Sequence, residues 1–134
     1  MRVLLDTSAV VAMMDADDPA HVASRDAWVG LLTASESLLL TSLTLVETLA
    51  VLPRRLGREA VISFCRRHLP LVELYDVPTP LLLNGVDTWL AARRRDLSLV
   101  DMVCFLVMRQ EGLTSAFTLD PHFAEQGFEC LPGQ

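Results

Sequence analysis

Asp6, Glu47, Asp101 and Asp120 are the residues of this chain whose types and spacing suit a shared chemistry. Each also has a structural explanation. Asp6 and Asp120 stand where an apolar run gives way to a helical pattern, the place of an N-cap that accepts from free backbone N–H groups. Asp120-Pro121 fits that reading, since proline suits the first helical position. Thr44-Leu45-Val46-Glu47 and Ser98-Leu99-Val100-Asp101 follow the capping-box spacing, the second loosely. Capping explains the acids singly, but not their placing at or near successive helix starts. If the strands run parallel, those starts lie on one edge of the sheet, where ligands bind. Carboxylates gathered there repel one another and must take up protons or cations. An all-oxygen set suits a hard divalent ion, Mg2+ or Mn2+. Such an ion makes water nucleophilic and offsets the charge of a phosphoryl transition state, so the expected chemistry is phosphodiester hydrolysis. Thr7 and Ser8 beside Asp6, and Thr118 two residues before Asp120, can orient carboxylates or water. They serve equally well as turn and strand residues.

Competing chemistries are poorly represented. The chain has no GxxxxGK[ST] loop, GxSxG elbow or HExxH pair. Leu4-Leu5-Asp6-Thr7-Ser8-Ala9 is close to the catalytic loop of retroviral-type aspartic proteases, but that fold is all-β. A haloacid-type phosphatase also begins with strand and Asp, but needs a second Asp at position 8, which is Ser. A non-enzymatic binding module, with the acids kept only as caps, is the remaining rival. No catalytic role is assigned to His21, His68 or His122. Trp28 and Trp89 lie in helical patterns and read as core or interface.

The elements that must position the acids alternate. Arg2–Leu5, Ser37–Thr41, Leu71–Tyr75, Ala116–Leu119 and Phe128–Leu131 read as short buried strands. Between them, helical patterns cover Ala9–Met14, Ala20–Leu32, Leu43–Leu52 (stopping before Pro53), Gly57–His68, Pro80–Arg95 and Leu99–Gln110, the last with Gly112 as C-cap. Asp15-Ala16-Asp17-Asp18-Pro19 reads as a turn. Apolar strands joined by helices imply parallel pairing with both faces covered. The expected fold is therefore a three-layer α/β/α sandwich around a short, mostly parallel, five-stranded sheet.

The bulk properties agree with one domain spanning residues 1–134, and a 51% hydrophobic composition allows a full core. The apolar run Val3-Leu4-Leu5 ends at Asp6, well short of the roughly 7–15 residues of a secretory signal. Leu38–Leu52 is broken by Thr41, Ser42, Thr44 and Glu47, and a bilayer span takes about 20 apolar residues. The expectation is a cytoplasmic protein without a membrane partner. Cys65, Cys104 and Cys130 are widely spaced and read as reduced thiols. A net charge of −6 argues at first against a nucleic-acid partner. Two divalent ions would bring that charge to −2, and the basic residues, all arginine, cluster at Arg54, Arg55, Arg58, Arg66, Arg67 and at Arg93-Arg94-Arg95. Those clusters read either as solvated helix faces or as phosphate contacts.

Leu4-Leu5-Asp6-Thr7-Ser8, Glu47 in a helix, Ser98-Leu99-Val100-Asp101 and Phe117-Thr118-Leu119-Asp120-Pro121-His122-Phe123 together resemble a PIN domain. More narrowly, the chain resembles the VapC-type toxins of bacterial toxin–antitoxin pairs, over essentially its whole length. The resemblance implies an endoribonuclease that uses Mg2+ or Mn2+ and leaves a 3′-hydroxyl and a 5′-phosphate. It carries metal-site roles onto Asp6, Glu47, Asp101 and Asp120, and supporting roles onto Thr7 or Ser8 and Thr118. It further implies a homodimer, an RNA substrate and a cognate antitoxin lying across the active-site groove. Met102 departs from the family pattern, where a small residue commonly follows the acid. Val22, Leu31, Leu49 and Leu52 are candidates for the dimer or antitoxin surface, and equally for the core.

Overall fold

In the computed structural model, which describes residues 1–133, five strands form one sheet in the order β3-β2-β1-β4-β5. The strands are β1 (Arg2–Leu5), β2 (Ser37–Thr41), β3 (Glu73–Tyr75), β4 (Ser115–Phe117) and β5 (Glu129–Leu131), and every pairing is parallel. Apolar runs bound the strands because both faces are covered. Val3, Leu5, Leu38, Leu40 and Phe117 pack on one face with α1 (Thr7–Met14), α2 (His21–Thr33), α3 (Ser42–Leu56) and α4 (Arg58–Ser63). Leu4, Leu39 and Ala116 face the other way, against α5 (Thr79–Ala92), α6 (Leu99–Glu111) and α7 (Pro121–Glu125). The result is the expected three-layer sandwich, with its sheet wholly parallel.

The strand order fixes where a ligand can sit. From central β1 the chain moves out to β2 and β3, then returns to β4 on the other side of β1. The connections on either side of β1 therefore leave in opposite directions and open a crevice at its C-terminal end. Asp6 stands at that end, and Asp120 follows β4.

Several element boundaries differ from the sequence reading. Helix α3 does not stop before Pro53 but runs through it to Leu56. Proline forfeits one backbone bond while its fixed φ remains helical, and Gly57, at φ 84°, ends the helix instead. Helix α5 ends at Ala92 rather than Arg95, because Arg93 takes a left-handed conformation at φ 53°. The arginine triplet thus lies past the helix and does not complement its dipole. Residues Leu69–Leu71, with Pro70, form a 3-10 turn, so β3 starts later than expected. Helix α4 continues into a π-helical turn, Phe64–His68. Strand β4 ends at Phe117: Thr118 N still donates to Leu131 O of β5 at 2.9 Å, but Leu119 N donates to Ser8 Oγ and Asp120 N to Thr118 Oγ1, each at 2.9 Å.

Helices α5 and α6 pack closely at Gly85, where a Cβ would lie 2.6 Å from Val103 Cγ2. Leu31 and Leu52 are core, whereas Val22 is exposed. Trp28 is buried, and the Trp89 indole donates to Leu97 O at 2.8 Å. The three cysteines are free thiols. Among the described residues, no helix is long and apolar enough to cross a membrane.

Candidate metal centre

Asp6 is almost wholly buried, at 4% exposure, yet its carboxylate does not cap α1. Ser8 Oγ donates to Asp6 Oδ2 at 2.6 Å and Thr118 Oγ1 donates to the same oxygen at 2.8 Å. Both hydroxyls therefore fix one oxygen and leave Oδ1 uncommitted. Burial first, and then the charges of Glu47 and Asp120, push the Asp6 carboxyl above the usual carboxylate range, against the lowering effect of the two hydroxyls.

Asp101 forms the anticipated capping box with Ser98, whose Oγ accepts from Asp101 N at 3.0 Å, while Asp101 Oδ2 accepts weakly from Ser98 N at 3.4 Å. Its carboxyl is pushed up to about 6 by burial and then by the neighbouring charges of Asp120 and Asp6. Asp120 caps α7, with Oδ1 accepting from His122 N at 2.9 Å. Each aspartate thus uses one oxygen to be held in place and keeps the other. A carboxylate fixed on one side and open on the other is the arrangement a cation needs.

Glu47 does not cap its helix. Thr41 is the N-cap of α3 and accepts from Thr44 N, which places Glu47 in the second turn. Its charge nevertheless acts on Asp6. Thr7 turns to α3, where its hydroxyl meets that of Thr48 at 3.0 Å in a buried contact. Among the described contacts Thr7 bonds no acid; it ties α1 to the helix that carries Glu47. Ser8 and Thr118 lie where orienting hydroxyls were expected, 3.3 Å from each other.

His122 was given no catalytic role from sequence, only a place near Asp120, and the structure draws it into the cluster. Ligand atoms of Asp101, Asp120 and His122 lie within 4.8 Å of one another. His122 Nδ1 stands 2.6 Å from Asp120 Oδ1 as an ion-pair contact, and Nε2 lies 3.0 Å from Asp96 Oδ2. Arg94 grips both Asp96 and Glu125. Hydrogen bonding to Asp96, with the charge of Asp120 in support, raises the His122 pKa, while Arg94 and then His122 hold Asp96 well below the usual range. The spacing of Asp120 and His122 across the first turn of α7 hinted at their contact, but nothing in the sequence pairs residue 122 with residue 96. Cys104, beneath the site and fully buried, touches Thr44 and has its thiol pushed up to about 12, chiefly by burial.

Parallel strands, a topological switch point and carboxylates meeting there are features of α/β hydrolytic domains that work on phosphoesters through a divalent ion. The family model of the PIN domain matches residues 3–129, and the chain belongs to that family of nucleases. It is similar to the 23S rRNA-specific endonuclease VapC20 in two strains of Mycobacterium tuberculosis, 28% identical over 127 residues that cover 94% of this chain and 95% of that protein. A crystal structure of M. tuberculosis VapC20, described as a sarcin–ricin loop cleaving toxin, matches with a TM-score of 0.80 at 29% identity, covering 94% of this chain and 95% of the other. FitAcB from Neisseria gonorrhoeae matches with a TM-score of 0.66 at 16% identity, over 98% of this chain and 96% of that one, and shares the fold. The sequence expectation of a VapC-type endoribonuclease is met in both its family and its class of enzyme.

Proposed function

We propose that this chain cuts RNA with the help of Mg2+ or Mn2+, and that it is the toxin of a type II toxin–antitoxin pair acting in the cytoplasm. The observation that carries the reading is the meeting of Asp101, Asp120 and His122, whose ligand atoms lie within 4.8 Å of one another, beside Asp6, whose charge acts on Asp101. The donor set fits a hard divalent ion. It offers carboxylate oxygens with one imidazole and no thiolate, and the Asp6 and Asp101 pKa values are raised by burial and then by neighbouring carboxylates, both of which a cation offsets. Asp6, Asp101 and Asp120 would hold the ion, and Glu47 would complete the site or help to hold a second one. When bound, the cation supplies Lewis acidity toward the phosphodiester and a lowered pKa for water.

The chain's own residues do the positioning. Ser8 and Thr118 fix the rotamer of Asp6, Ser98 fixes Asp101, and the backbone of His122 fixes Asp120. Groups held in advance need no reorganisation as charge develops on the phosphoryl oxygens. Arg58, Arg66, Arg67, Arg93 and Arg95 have no carboxylate partner among the described residues, so they are available to flanking phosphates. Because VapC20 is named for cutting 23S rRNA, ribosomal RNA is the first substrate to offer. A cognate antitoxin closing the groove and a homodimer follow from the family resemblance.

The test is cleavage of total cellular RNA by the purified protein with Mg2+ or Mn2+, beside Asp6→Asn, with new 5′-phosphate ends mapped by sequencing. Ends that appear only with wild type and metal are expected. Full activity in Asp6→Asn would remove Asp6 from the site, and no cleavage by either would favour a PIN-fold module that binds without cutting.

A further inference from the structure

Beyond Asp120 the C-terminal edge of the sheet is hollow. A cavity of about 330 Å3 opens there, bounded by the segment after β4, helix α7 and the end of edge strand β5. Thr118 and Asp120 form the wall shared with the carboxylate cluster. Leu119 of the segment after β4, Pro121 and Ala124 of α7, Cys130 of β5 and Pro132 form the rest. The volume falls at the lower end of the ~300–1,000 Å3 of small-molecule sites.

Its chemistry narrows the occupant. No arginine lines it and a carboxylate does, so a phosphate is repelled. Proline rings and an alanine methyl offer apolar surface to a flat ring, while the hydroxyl, thiol and carboxylate meet polar edges. Position narrows it further. Neighbouring strands lie about 4.8 Å apart, so a site at β5 is one strand spacing from the acids around β4. That is the order of the separation between a phosphate and the base attached to the same nucleotide. Sequence in RNA is read mainly on unpaired bases that can be splayed into such sites.

We infer that this cavity receives the nucleobase flanking the scissile phosphate and so selects the sequence at which RNA is cut. The inference rests on the nuclease reading above. Its test uses two readouts that fail separately. In the first, ribosomal RNA is digested with Mn2+ by wild type and by Ala124→Trp, which fills the cavity from an exposed position outside the acid cluster. Wild-type ends share a base preference beside the cut; the variant flattens that preference and cuts about 10- to 100-fold more slowly, with unchanged Mn2+ affinity. In the second, N-ethylmaleimide labelling of wild type is followed by mass spectrometry with and without a random single-stranded RNA 12-mer pool in Ca2+. RNA slows labelling of Cys130 but not of Cys65, which packs in the opposite layer. Cleavage with the same preference and rate in both proteins, together with unprotected Cys130, overturns the inference and leaves the nuclease reading standing. Protection of Cys130 without any cleavage by wild type keeps the base site and removes the nuclease. The labelling experiment holds even if Ala124→Trp fails to fold.

Discussion

Asp6 shows how a buried acid is kept useful. A carboxylate at 4% exposure is costly unless its lone pairs are engaged. Two hydroxyls engage one oxygen and leave the other open. Thr118 matters doubly, since its Oγ1 donates to Asp6 and accepts from Asp120 N at 2.9 Å. Thr118→Val removes that link at nearly constant volume. It is expected to weaken Mn2+ binding about 10- to 100-fold, as loss of a ligand-orienting partner does, while the circular dichroism spectrum stays native; titration calorimetry reads it. Unchanged affinity would show that Asp6 needs no such support. At this scale the sequence marked Asp6, Ser8, Thr118 and Asp120 as candidates, because each sits at a strand-to-helix junction. It was not legible in His122, whose contact with Asp96 spans 26 positions and depends on how α7 docks beside the turn after α5. Nor did it separate Thr7 from Ser8; only the direction of the first turn of α1 decides which hydroxyl faces the carboxylate.

At the scale of elements, the period of hydrophobicity located strands and helices, and local backbone chemistry moved their ends. Arg93 in the left-handed region and Pro53 inside α3 are cases where the position of a residue in the last turn overrides its general preference. The helix pair α5–α6 carries the test here. Gly85 is the buried residue of α5, and a Cβ there meets the side chain of Val103, itself fully buried and β-branched. Gly85→Val is therefore expected to cost about 2 kcal/mol, within the range for overpacking a filled contact, as a lower denaturant midpoint. Because α6 carries Asp101 at its first turn, Mn2+ affinity should fall with it. A variant as stable as wild type would mean that α5 rides loosely on α6.

For the whole molecule, the acid cluster sets a dependence on pH. In the metal-free protein Asp101 titrates at about 6 rather than its ordinary 3.8, and Asp6 is shifted in the same direction. A folded state that binds protons more tightly than the unfolded chain loses stability as pH rises through that interval. Asp18, Asp96 and Glu125 are shifted the other way, so their contribution is present above their ordinary pKa values and vanishes only at lower pH. Between about pH 4 and 6 the raised pair governs. The metal-free melting temperature is thus expected to fall from about pH 5 to pH 7, and added Mn2+ to raise it more at pH 7 than at pH 5. Calorimetric scans with and without chelator decide it; a Mn2+ effect independent of pH would mean the ion binds away from these acids. The layered fold was legible as a whole from alternation alone, because parallel pairing leaves few topologies open. The strand order, and with it the neighbour relation of β1 and β4, was not, since no residue in either strand names its partner.

That neighbour relation governs when the enzyme comes into existence. Thr118 and Asp6 meet across 112 positions of chain. β1, β2 and β3 can associate early in synthesis, but the acidic hollow lacks a wall until β4 has slotted in beside β1. A polypeptide still emerging from the ribosome therefore carries an incomplete centre. A chain cut short before β4 holds Asp6, Glu47 and Asp101 but lacks Thr118 and Asp120, and is expected to have no cutting activity.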